Sequence, residues 1–98
     1  MSRATFDRAL TTARSEVRAA REAVASAERS LVSARAGADQ AQQVVNIVNI
    51  SFRAGAATNI EVIDAEGRAR DADTAVGVAE DTLRRARLEL LTAAGRFP

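Results

Sequence analysis

Histidine and cysteine are both absent from this chain of 98 residues. Those side chains most often serve as general base, thiolate nucleophile or metal ligand. What remains for chemistry is 13 carboxylates and 14 basic residues, every one of the latter an arginine. No glycine-rich phosphate loop accompanies them, and no polar set converges as an acid–base pair would require. Catalytic, cofactor-binding and metal-binding residues are therefore all expected to be absent. Two carboxylates stand out for position instead. Glu61 and Asp64 follow closely on a glycine at which the hydrophobic pattern of the chain breaks.

That break spans Phe52-Arg-Ala-Gly-Ala-Ala-Thr-Asn-Ile-Glu-Val-Ile-Asp64. A glycine just past a helix end adopts the left-handed backbone that other residues take only against steric repulsion, and Gly55 has that place. Thr58-x-x-Glu61 reads as a capping box, in which the threonine oxygen accepts the Glu61 amide and the glutamate reaches back to the Thr58 amide. Arg53 falls in the last turn of a preceding helix and Glu61 in the first turn of a following one, each with the sign that suits the local dipole. The stretch predicts a helix end, a tight turn and a helix start.

On either side the apolar residues step by four and three. The first series begins Phe6, Leu10, Ala13, Val17 and runs to Ala41, Val45, Val48, Phe52. The second begins Val62, Ala65, Ala69, Ala72 and runs to Leu90, Ala93, Phe97. This is a heptad seam with a 3.5-residue period, its positions alternating between mostly large residues and alanine. Folding the chain at Gly55 sets Phe52 against Val62, Val45 against Ala69, Ala38 against Val76, Leu31 against Leu83 and Val24 against Leu90. Alanine meets alanine between those layers: 41 with 72, 34 with 79, 27 with 86, 20 with 93. The expected fold is all-α, an antiparallel two-helix coiled-coil hairpin forming a single domain over 1–98. Its first helix covers about 5–53, after a cap at Ser2 or Thr5, its tip 54–58 and its second helix about 59–95, with Gly95 as closing cap and Pro98 beyond. Val17 would meet Phe97, which leaves about two heptads of the first helix without a partner.

The seam does not use every large side chain. Val44, Ile47, Ile50, Ile60 and Ile63 cluster near the tip away from it, and Val78, Leu88 and Leu91 lie off it further along. Apolar residues left in water invite association, so the hairpin is expected to self-associate into a larger helical bundle. Acid-before-base pairs four residues apart, Asp64–Arg68, Glu66–Arg70, Glu80–Arg84 and Asp81–Arg85, read as a solvated face of the second helix. With a formal charge of +1 and no basic stripe or aromatic ladder, nucleic-acid binding is disfavoured. The longest apolar run, Val44 to Ile50, is interrupted by Asn46 and Asn49, so this segment is not expected to insert in a membrane. No apolar secretion signal is visible, which leaves a cytoplasmic chain or a piece of a longer protein.

Residues 52–65, Phe-Arg-Ala-Gly-Ala-Ala-Thr-Asn-Ile-Glu-Val-Ile-Asp-Ala, resemble the periplasmic hairpin tip of TolC-type outer-membrane efflux proteins. The later run from Ala79 to Gly95 is similar to that family's closing helix, and the resemblance covers roughly 40–96. It implies the periplasmic α-hairpin of an outer-membrane efflux or type I secretion conduit, trimeric in the parent family, with the tip docking onto a membrane-fusion adaptor protein. The tip residues so implied are Arg53, Gly55, Ala56, Thr58, Asn59 and Val62. Glu61 and Asp64 match the acids that ring the closed pore and favour cations. Phe52 stands where some members have tyrosine, and Ala57 where some place a gating arginine. The chain holds one hairpin and no barrel strand segments, whereas full-length members carry two hairpins with strands between them.

Three other classes compete with that reading. A free-standing structural coiled-coil protein would form a dimeric four-helix bundle, with cytoplasmic location the expectation. A small secreted hairpin of the WXG type fits the length but lacks the tryptophan-x-glycine turn. An enzyme fits least, for want of the residues named at the outset.

Overall fold

The computed structural model describes residues 2–95. It is an all-α helical hairpin of two long helices, with no strand among the described residues. Helix α1 covers Arg3–Arg53 and α2 covers Asn59–Gly95.

Helix α1 begins two residues earlier than the spacing predicts, because Ser2 is its cap. The Ser2 hydroxyl oxygen accepts the Thr5 amide at 3.2 Å, and the Ser2 carbonyl accepts the Phe6 amide at 3.0 Å. Thr5, the other candidate cap, is the third helical residue, and its hydroxyl lies 2.8 Å from that of Ser2. At the other end of the chain Gly95 is the last residue of α2 and is not a left-handed cap; among the described residues the positive φ belongs to Gly55. Phe97 and Pro98, expected to close the seam and the helix, lie outside the described residues.

The chain divides into two compact units, Ser30–Glu80 and Met1–Arg29 with Asp81–Pro98. In Ser30–Glu80, Val45, Ala65 and Ala69 form a buried cluster with Ala41 and Val48 packed against it. Val45 therefore meets Ala69 as the heptad register requires. Leu31 is also buried in this unit. In the other unit Ala27, Leu83 and Ala86 are buried, and Ala20 and Ala93 line one shallow groove together. Beside that alanine layer, Arg87 on α2 reaches Glu28 on α1 at 3.9 Å, a pair the i,i+4 reading could not find because it joins two helices.

Among the described residues seven are buried, four of them alanine, and no side chain is fully buried. Each alanine removes little more than one methyl group from water, at about 0.8 kcal/mol per carbon. Stability must therefore come from many thin layers, with Leu31, Val45 and Leu83 the large contributors.

The seam positions are buried or half-buried along both helices, with two corrections. Phe6 is 51% exposed: it sits in the first two turns of α1, where no residue from Arg3 to Glu16 is buried and only Leu10 and Ala13 are half-buried. Phe52 is 44% exposed, because the last seam layer opens to water at the turn and a phenyl ring is too large for Val62 alone to cover.

Candidate functional site at the hairpin tip

The turn between the helices is built from backbone hydrogen bonds that its sequence makes available. Gly55 has φ +78°, in the left-handed region. Its amide donates to the Phe52 carbonyl at 3.0 Å, and the Ala56 amide donates to the Ser51 carbonyl at 2.8 Å. These two bonds are the Schellman pair, which satisfies the last carbonyls of α1 and turns the chain sharply. Three residues on, Thr58 caps α2. Its hydroxyl oxygen accepts the Glu61 amide at 3.2 Å, its carbonyl accepts the Val62 amide at 3.3 Å, and its own amide donates to Glu61 Oε2 at 3.3 Å. The capping box expected from Thr58-x-x-Glu61 is formed in full. Ala57 and Val62, the residues that flank such a box as an apolar staple, are both half-buried.

Around this frame the tip residues take different roles. Arg53 is the last residue of α1, where its charge suits the helix dipole, and it is exposed, as are Ala56, Thr58 and Asn59. Gly55 is exposed and supplies the turn. Val62 is half-buried on the seam, so most of its surface faces the partner helix and is withdrawn from an external contact. Glu61 and Asp64 are both exposed. Glu61 spends one oxygen on the Thr58 amide, and Asp64 Oδ2 lies 3.1 Å from Arg68 Nε.

The exposed apolar residues complete the surroundings. Val44, Ile47, Ile50, Ile60 and Ile63 are all exposed near the turn, and Val78, Leu88 and Leu91 are exposed along α2. Val32 joins them; its position next to Leu31 on the first series gave the sequence reading no reason to single it out.

Among the described residues Glu66 and Glu80 are half-buried and the other charged residues are exposed. Arg84 pairs with Asp81, three residues before it, instead of with Glu80. Neither Glu66–Arg70 nor Asp81–Arg85 forms an ion pair among the described residues. No group of three or more carboxylates converges as a metal site, and no helix is long and apolar enough to cross a membrane, again among the described residues. The grooves are shallow and follow the helix seam.

No protein-family model, no curated protein and no solved structure matches the chain.

The cap makes a local prediction. Thr58→Ala removes the acceptor for the Glu61 amide and should cost about 1 kcal/mol in thermal or urea unfolding. Glu61→Gln should cost a few tenths at most, since glutamine also closes the box. Equal losses from the two would mean the glutamate charge, and not the box, holds the helix start.

Proposed function

We propose that the chain is a non-enzymatic interaction module, the periplasmic α-hairpin of an outer-membrane efflux or type I secretion conduit, whose tip docks onto a membrane-fusion adaptor protein. The observation that carries this reading is the tip itself. A five-residue turn held by the Schellman pair and a full capping box is preorganised, and it offers Arg53, Ala56 and Asn59 outward between exposed isoleucines. A surface ordered before contact loses little conformational entropy on binding. The resemblance of residues 40–96 to the TolC-type hairpin names the partner class. In this reading the chain is periplasmic and its copies assemble as a trimer.

Asp64 can line a pore while it pairs with Arg68. Glu61 has to give up its bond to the Thr58 amide to do so. The paired substitution Glu61→Gln with Asp64→Asn leaves the cap intact, so it isolates charge. Conductance of the assembled conduit should lose cation preference, and unchanged selectivity would remove the role from both residues.

The docking claim is tested by a photo-crosslinking amino acid in place of Asn59, used in cells of the source organism. An adduct with a membrane-fusion adaptor supports it. Adducts confined to further copies of the chain contradict it.

One observation favours a second reading. The exposed Val44, Ile47, Ile50, Ile60 and Ile63 suit a free-standing structural protein in which two hairpins form a four-helix bundle. Such a chain is expected in the cytoplasm and needs no adaptor.

A further inference from the structure

The formal charge of +1 hides a local excess near the start of α1. Over residues 3–21, all within one compact unit, five arginines stand against Asp7 and Glu16, a net of +3. Arg14, Arg18 and Arg21 are spaced by four and three, so they share one side of the helix, and all three are exposed. Like charges at these spacings repel one another. Asp7 and Glu22 stand at the two ends of the row, yet none of these five residues forms an ion pair among the described residues. The hairpin itself therefore does nothing to offset the row.

Beside the row the same segment presents apolar surface. No residue over 3–16 is buried, and Phe6 is 51% exposed. The stripe that starts at Phe6 and Leu10 continues to Val17, which lines one groove together with the three arginines. Cations along the edge of an apolar stripe are what a helix needs to lie on an anionic lipid surface. The arginine stems cover apolar area while their guanidinium groups reach the lipid phosphates, and an aromatic ring settles at the headgroup boundary. We propose that residues 3–21 of α1 dock on an anionic membrane surface, with Arg14, Arg18 and Arg21 as the charge contacts and Phe6 as the apolar anchor.

Charge chooses this occupant over the others. The same segment of a second copy would set arginine against arginine. A nucleic-acid duplex offers phosphates but no apolar layer for Phe6. The contact is peripheral, since no helix among the described residues is long and apolar enough to cross a membrane. Attraction of arginine to a charged leaflet fades within a Debye length, so the binding is weak and sensitive to salt. The inference uses no residue of the turn and does not rest on adaptor docking, so its failure leaves that reading standing.

Co-sedimentation of the full chain with vesicles tests the proposal. The chain should pellet with vesicles of mixed phosphatidylcholine and phosphatidylglycerol, stay in solution with phosphatidylcholine alone, and be released by sodium chloride. Arg14→Glu with Arg18→Glu and Arg21→Glu should weaken binding about tenfold or more. Phe6→Ala should weaken it several-fold and leave the salt dependence as it was. Arg29→Glu with Arg35→Glu and Arg70→Glu makes the same change in net charge at exposed residues elsewhere, and should weaken it far less. Helicity by circular dichroism is checked for each variant; where a glutamate set loses helicity, glutamine at the same three positions decides. No binding to the mixed vesicles, or equal binding to phosphatidylcholine alone, overturns the proposal. Equal losses from the two triple variants overturn it too, since binding would then follow net charge and not this row. So does release by inorganic phosphate beyond that by sodium chloride at equal ionic strength, which means a free-anion site, or tighter binding to duplex DNA at the same salt.

Discussion

Leu83→Ala is expected to lower the stability of the chain by about 2–5 kcal/mol, the range for deleting a well-buried leucine side chain. Leu83 is 6% exposed, and Leu31, for which the same loss is expected, is 7% exposed. In a core built mostly of alanine these two carry a large share of the buried apolar surface. Neighbouring alanines cannot collapse into the space a leucine leaves, so the cavity term should be near its full size. Marginal stability, on the order of 0.1 kcal/mol per residue, makes such a loss comparable to the whole. Urea unfolding followed at 222 nm should therefore show either a strongly reduced midpoint or a chain already unfolded without denaturant. By contrast, Leu88→Ala on the exposed face should change monomer stability by under about 0.5 kcal/mol. Equal effects at 83 and 88 would mean that the buried seam is misplaced.

Gly55→Val is expected to be the most damaging change in the turn. The backbone there has φ +78°, and an L-residue in that region costs roughly 1–2 kcal/mol, more when branched at Cβ. Nothing lies within 4 Å of a Cβ at this position, so the loss is conformational and not a clash. That distinction is testable within one series. Asparagine tolerates the left-handed region, so Gly55→Asn should retain most of the stability, Gly55→Ala less, and Gly55→Val least. A valine variant with unchanged melting temperature and helicity would show that the chain does not turn through this conformation. Losses that track side-chain size regardless of φ preference would point to crowding instead.

The parts of this structure legible in the sequence are those set by local rules and by strict period. The step of four and three placed Val45 with Ala69, and the described seam positions other than Phe6 and Phe52 are buried or half-buried. Gly55 and the Thr58-x-x-Glu61 box announced themselves because a helix end leaves backbone donors and acceptors that few residue types can satisfy. What stayed hidden depends on competition or on shape. Whether Arg84 pairs with Glu80 or Asp81 is a choice between two nearby carboxylates of nearly equal merit. Glu28–Arg87 joins helices and has no signature within either. Phe6 and Phe52 satisfy the period yet lack neighbours large enough to cover them, and a period says nothing about cover. Val32 escaped notice for the converse reason, being a lone apolar residue without a stripe of its own. As for the tip, its frame was readable from residue types, whereas the surface it offers a partner depends on which side chains the frame leaves outward. Val62 shows the difference: it belongs to the tip motif, yet it is half-buried on the seam.

The claim on which everything else depends is that a single chain folds back at Gly55 and pairs its two helices in this register. Val45→Cys with Ala69→Cys, in a chain otherwise without cysteine, tests it within one buried cluster. A disulfide requires Cβ atoms about 3.8 Å apart, so it can close within one chain only if the two positions are brought together across the hairpin. Under dilute oxidising conditions the double variant should form an intramolecular bond, remain monomeric on a non-reducing gel and unfold at a higher temperature than its reduced form. Disulfide-linked dimers, or thiols that stay free, would contradict the hairpin.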